Sequence, residues 1–184
     1  MKRQLLSTAL AVPAGSVFIL SGFVKAVDPV GFSYKITEYL SLFGMHGLCD
    51  LSMCLSVSLC TAETFLGLLL FLRIWKRTTA VCFLVAMLAF TALTLRLVTD
   101  PFGTITECGC FGEAVHLSNG MSFAKNLMLL AVAAAFVHCV FKEGRRARFK
   151  WRQLLLTSGA FALSLAVPLL SCLFLPPFYF LDYN

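Results

Sequence analysis

Five stretches of this chain are apolar for at least as long as a helix needs to cross a bilayer, and no other feature constrains the fold as strongly. They run from about Gln4 to Val27, Leu48 to Leu72, Thr78 to Thr99, Ser122 to Phe141 and Gln153 to Leu175. A hydrocarbon core of roughly 30 Å takes about 20 residues of helix. No water reaches that core, so each span must satisfy its own backbone hydrogen bonds, which makes it a helix. Composition agrees. The 184 residues are 59% hydrophobic and 13% charged, with a mean hydropathy of +0.87, too apolar for a soluble domain. The prediction is an all-α integral membrane protein with the lipid bilayer as its surroundings and residues 1–184 as one transmembrane domain, without repeats or low-complexity tracts.

Asp28-Pro29, the basic group Arg73, Lys76 and Arg77, Asp100-Pro101 and Pro176-Pro177 mark where spans stop, and Ser122 reads as the N-cap of the fourth. The first run opens on Lys2-Arg3, as a signal peptide would. It is too long for one and no small-x-small cleavage site follows, so it reads as a retained span. Residues Val30 to Leu42 are too short and too polar to cross. They read as an amphipathic segment at the membrane surface, with Phe32, Ile36, Tyr39 and Leu40 on its greasy face.

Basic residues give the orientation. Lys2 and Arg3, then Arg73, Lys76 and Arg77, then Lys142, Arg145, Arg146, Arg148, Lys150 and Arg152 fall on one side, with Glu143 as the acid among them. The other side carries Asp28, Glu38, Asp50, Asp100, Glu107, Glu113 and Asp182 against Lys25, Lys35, Arg96 and Lys125. The bias alternates with every crossing, which by the positive-inside rule sets the N-terminus in the cytoplasm and the C-terminus outside. A multi-pass protein of the inner (cytoplasmic) membrane is expected. The net charge of +6 sits in short loops between spans, so it does not argue for nucleic acid.

The chain has eight cysteines. Cys108 and Cys110 stand one residue apart in the longest polar break, Cys108-Gly109-Cys110-Phe111-Gly112, on the expected outer side, where disulfides persist. A bridge between such close neighbours restricts the unfolded chain little and so adds little stability. Its tight geometry makes it easier to reduce. Gly109 permits the backbone of so small a ring, and Gly103 and Gly112 flank a tight loop. These features suit an exchangeable disulfide, with Cys108 and Cys110 as catalytic thiols. Three other readings stay open: a structural bridge to Cys49 or Cys172, two inert thiols, or a metal site with His46 and His116. The spacing matches no zinc pattern, and no metal is predicted. Cys49 and Cys54, near the outer end of the second span, and Cys172, near that of the fifth, are candidate relay or resolving thiols. Cys60, Cys82 and Cys139 read as small apolar packing residues.

Polar residues within the spans are the other candidates. Glu63 lies about 21 Å down its helix from Cys49. There it must be protonated, paired or beside water. Lys25 and Arg96 are close to the outer ends of their spans. They either snorkel to the interface or point inward, where their charge would favour thiolate formation in the cysteine loop. Asn126 is a polar residue near the start of the fourth span.

Four stretches together carry a family likeness: Ser21-Gly22-Phe23-Val24-Lys25-Ala26-Val27-Asp28-Pro29, Glu63 to Gly67, Cys108-Gly109-Cys110-Phe111-Gly112, and Lys125-Asn126-Leu127-Met128-Leu129. With them the chain, from about residue 5 to 140, resembles the MauE family of methylamine-utilisation membrane proteins, within the wider DoxX-like group. The resemblance implies a four-helix transmembrane core with a fifth helix appended. It also implies a role beside thioredoxin-like partners in making or transporting disulfides for exported proteins. This chain has no fused thioredoxin domain, so a separate extracytoplasmic partner has to supply one. The favoured reading is a membrane thiol–disulfide redox protein. By analogy with disulfide-generating membrane enzymes, a membrane quinone is the candidate electron acceptor; no sequence motif for a quinone, flavin or haem accompanies it. The rival readings are a DoxX-like subunit of a respiratory or sulfur-oxidising complex and a non-enzymatic membrane scaffold. Client, direction of electron flow and oligomeric state are not predicted.

Overall fold

The structure, a computed structural model, describes residues 2–99, 118–143 and 151–174. Cys108, Cys110, the loop glycines and His116 lie outside the described residues, as do Arg145, Arg146, Arg148 and Lys150. Within the described residues the chain forms α1 (Lys2–Val27), α2 (Pro29–Leu42), a 3-10 turn (His46–Leu51), α3 (Ser52–Phe71), α4 (Lys76–Val98), α5 (Asn119–Lys142) and α6 (Trp151–Phe174). Among the described residues five stretches are long and apolar enough to cross a membrane: Gln4–Val27, His46–Phe71, Lys76–Val98, Asn119–Lys142 and Trp151–Leu173. The protein is an all-α integral membrane protein. α1, α3, α4 and α5 make a four-helix bundle, and α6 lies against α3 and touches α1 and α2.

Local chemistry sets the helix ends. Pro29 disfavours helical backbone at Asp28 and cannot donate a backbone hydrogen bond, so α1 stops. The Asp28 carboxylate then accepts from Gly31 N at 2.9 Å and caps α2, with Pro29 in its first turn. α5 begins earlier than expected. Ser118 is its N-cap, accepting from Met121 N at 3.4 Å, whereas Ser122 is buried one turn inside. The second span also opens differently. A 3-10 turn precedes α3, which starts at Ser52. α3 and α4 are joined by a turn in which Arg73 and Trp75 take positive φ, 56° and 46°. Such backbone is uncommon for side chains of this size. Here Ile74 is buried, its carbonyl accepting from Thr79 Oγ1 at 2.7 Å.

The bundle core consists of Ala11, Ala14 and Phe18 of α1, Leu70 of α3, Ala80, Phe83 and Met87 of α4, and Ala133, Phe136 and Val140 of α5. Phe18 meets Phe83 edge-on, with ring centroids 5.2 Å apart, a favoured aromatic geometry. α1 and α3 approach through glycines. A Cβ on Gly22 would stand 2.4 Å from Thr64 Oγ1 and 2.8 Å from Thr64 N, and one on Gly67 would stand 2.7 Å from Ile19 N. In a bilayer, lipid tails are as apolar as leucine, so helices associate by close packing rather than by escape from water. Small residues at the crossing permit it.

α2 packs its apolar face against the bundle. Its Phe32, Ile36 and Leu40 are buried, with Tyr39 half-buried, and pack with Ala26 and Cys60. Ser56 of α3 donates to the carbonyl of Pro29 at 2.7 Å. The greasy face is the expected one, and it covers the end of the bundle.

Candidate functional site

Helix periodicity places Ser21 and Lys25, four residues apart, on one face of α1. The glycine crossing brings that face against α3 at Glu63. There Lys25 Nζ donates to Glu63 Oε2 at 2.5 Å and Ser21 Oγ donates to Glu63 Oε1 at 2.8 Å. Lys25 is 4% exposed and Glu63 8%. An ion pair so shielded is held by geometry: neither charge would be tolerated alone in this medium. The ammonium also lies 5.3 Å from the ring centre of Phe32 and 5.7 Å from that of Phe90, within cation–π range.

Across from the pair, α4 and α5 contribute a second polar group. Asn126, 3% exposed, donates through Nδ2 to the carbonyl of Phe90 and to Thr94 Oγ1, each at 3.3 Å. The Phe90 carbonyl can only accept, which fixes the amide nitrogen on that side and leaves Oδ1 on the other. Between the two halves lies a cavity of about 80 Å³. Lys25, Glu63, Lys125 and Asn126 line it together with Phe18, Phe32, Tyr39 and Phe90. Thr94 is four residues from Val98, the last residue of α4, and Asn126 is seven from Asn119, the first of α5. At 1.5 Å per residue the cavity therefore lies about 6 to 10 Å below the helix ends that flank residues 100–117.

The opposite end of the bundle holds a surface network. Ser7 Oγ donates to Glu143 Oε1, Lys76 Nζ donates to Glu143 Oε2 at 3.2 Å, and Arg73 Nη2 donates to Ser7 Oγ at 3.0 Å. Burial alone would raise the Glu143 carboxyl. The Ser7 hydroxyl and the charges of Lys76 and Arg73 outweigh it and hold the group below its ordinary value. This network gathers the second turn of α1, the α3–α4 turn and the end of α5. Arg73, Lys76 and Lys142 therefore share one end of the molecule, as the alternating charge bias required.

Of the residues singled out by sequence, the fold brings Lys25, Glu63 and Asn126 to one cavity. Glu63 is paired, and Lys25 points inward rather than snorkelling. Arg96 is exposed in the last turn of α4 and is not among the residues lining the cavity. Cys49, half-buried, packs beside the cluster of Ala26, Phe32, Ile36, Leu40 and Cys60, whereas Cys54 and Cys172 are exposed. The six described cysteines are free thiols. Among the described residues no group of His, Cys, Asp or Glu could hold a metal ion. Sequence reasoning missed Thr94 and Lys125 and did not assign Ser21 to Glu63. The i, i+4 spacings of Ser21 with Lys25 and of Phe90 with Thr94 were the available signals.

The family described as methylamine utilisation protein MauE matches residues 3–140. That range takes in α1 to α4, nearly all of α5, every cavity residue, and Cys108 and Cys110. α6 lies beyond it. No curated protein and no solved structure gives a match. With three quarters of its length covered by that family, cavity and cysteine pair included, the chain belongs to the MauE family.

Proposed function

We propose that this chain is an inner-membrane thiol–disulfide redox protein, exchanging disulfides through Cys108 and Cys110 with an extracytoplasmic thioredoxin-like protein and so supporting the maturation of exported proteins. The observation that carries the reading is the buried cavity of Lys25, Glu63 and Asn126. It lies one to two helical turns below the ends of α4 and α5 that flank the cysteine pair. A chain built only as a packed bundle has no need of such charge there, because buried ions are costly and mark function inside membranes. Family membership and the Cys-Gly-Cys spacing point the same way.

The exchange itself needs only sulfur chemistry. With Cys108 and Cys110 oxidised, a partner thiolate attacks one sulfur and expels the other as thiolate, forming a mixed disulfide. The partner's second thiolate then attacks the partner's sulfur in that bond. The partner leaves with a new disulfide, and Cys108 and Cys110 remain as a dithiol, two electrons richer. The reverse sequence reduces the partner. Cys49, Cys54 and Cys172 are the candidate relay thiols on this side.

Trapping tests it. Cys110→Ser leaves any mixed disulfide through Cys108 without its neighbour, and Cys108→Ser tests the opposite order. At least one variant should accumulate a covalent adduct with a thioredoxin-fold protein, seen on non-reducing gels and identified by mass spectrometry. Full function in both variants with no adduct would sink the redox reading and leave a scaffold.

A further inference from the structure

The cavity has features beyond those of a buried ion pair. Lys25 and Glu63 neutralise one another, and Lys125 adds a second ammonium to the lining. Such a lining suits a ligand that presents hydrogen-bond acceptors. Around the polar groups stand the rings of Phe18, Phe32, Tyr39 and Phe90, a wall suited to a flat molecule. A volume of about 80 Å³ admits the polar edge of one ring and not a phospholipid head group. The route in is from the side. α3 packs closely on α1 and α4 on α5, but α3 and α4 meet only sparsely. Leu59 of α3, an exposed residue, and Leu93 of α4, a half-buried one, belong to the cavity wall. A ligand entering there comes from the bilayer.

The polar lining also offers hydrogen bonds of both senses. Lys25 is a donor. Glu63 is an acceptor, and so is Asn126 Oδ1, which no donor among the described residues reaches. That combination suits a group that is a carbonyl in one redox state and a hydroxyl in the other. We infer that the cavity binds the ring of a lipid-soluble quinone, one oxygen of which accepts from Lys25 as a carbonyl and, once reduced to a hydroxyl, donates to Asn126 Oδ1. The inference rests on the thiol–disulfide reading for its purpose and on the cavity alone for its geometry. When two thiols close to a disulfide, two electrons and two protons leave, and reduction of one quinone to its hydroquinone takes up both pairs.

Photolabelling of the full-length protein in phospholipid nanodiscs tests the site. The probe is an azido-benzoquinone with a short isoprenoid tail, and an unmodified short-chain benzoquinone competes with it. Saturable, competed labelling should map to peptides of α1, α4 or α5 that line the cavity. Asn126→Leu should reduce labelling at limiting probe by about tenfold. Leu59→Trp combined with Leu93→Trp, which leaves the ion pair untouched, should do the same by closing the entry. Variants are compared only where thermal unfolding matches the native protein. If both fail that criterion, the mapped position of the label decides. The Cys108→Ser/Cys110→Ser double variant should label as the native protein does. Labelling that cannot be saturated, maps elsewhere or ignores the cavity substitutions would overturn the inference. Labelling retained while no mixed disulfide can be trapped would leave the cavity assignment standing and remove the exchange reading. The converse pattern would do the reverse.

Discussion

Lys25 and Glu63 show why a buried pair behaves differently when broken than when removed. Lys25→Met strands a carboxylate among Ser21, Phe32 and Phe90. The cost should be about 3–5 kcal/mol, read as a large fall in the unfolding midpoint in nanodiscs. Lys25→Met with Glu63→Met removes both charges and should recover most of that loss. Equal destabilisation in single and double variants would show that packing, not charge, holds the site. That Glu63 would be protonated, paired or beside water was legible in the sequence; its partner and its level in the bundle were not. Counting from Cys49 took no account of α3 overshooting α1. Its N-terminal part stacks on α2, where Ser56 meets Pro29, so a residue well along α3 stands level with the last turn of α1. At the other end, Glu143 gives a pH signature. Its carboxyl is held below the ordinary 4.5. The stabilisation is therefore complete above that value and is lost as pH falls through the lower folded one. Stability of the native protein should decline on acidification below about pH 4.5. Glu143→Gln should be less stable near pH 7 and show a shallower acid limb, whereas an unchanged limb would mean that other carboxylates account for it.

Helices α1 and α3 depend on one another through missing side chains. A methyl on Gly22 meets the Thr64 hydroxyl and the Thr64 backbone nitrogen, and the nitrogen cannot move without shifting the helix. Gly22→Ala should destabilise by about 1–3 kcal/mol and loosen the cavity, since Lys25 lies one turn on. Gly159 in α6 has nothing within 4 Å of its would-be Cβ, so Gly159→Ala should be neutral or gain up to about 1 kcal/mol. Similar thermal shifts for the two would refute the close crossing. The existence and type of the elements were readable because a bilayer leaves helices as the only option for such apolar runs. Their ends were less readable. Ser122 fits an N-cap by residue type, but Ser118 takes that role, and the two serines differ only in which one tertiary packing buries. α2 was read with the right face but without its protein neighbours, because amphipathicity reports that a greasy face exists and not what covers it.

For the whole molecule the decisive quantity is orientation, on which the redox reading depends. The Ser7–Glu143–Lys76–Arg73 network gathers the helix ends nearest the basic segments, so the charge rule applies to one end of the bundle as a unit. That end is predicted to be cytoplasmic, which puts the helix ends flanking Cys108 and Cys110 on the oxidising side. Native Cys139 would be a poor reporter, because it is buried among the helices and would resist reagents from either side. Two exposed positions serve better: Ser118, at the start of α5, and Lys142, at its end. In a chain whose native cysteines are replaced by serine, Ser118→Cys should react with an impermeant maleimide in intact cells. Lys142→Cys should react only once the membrane is opened. Because both sites are on one helix, a single reversal would show in both at once. Labelling of the Lys142 position from outside, with the Ser118 position protected, would invert the protein. It would leave Cys108 and Cys110 in a reducing compartment, where a disulfide between them would not persist and the exchange proposed above could not run with an exported partner.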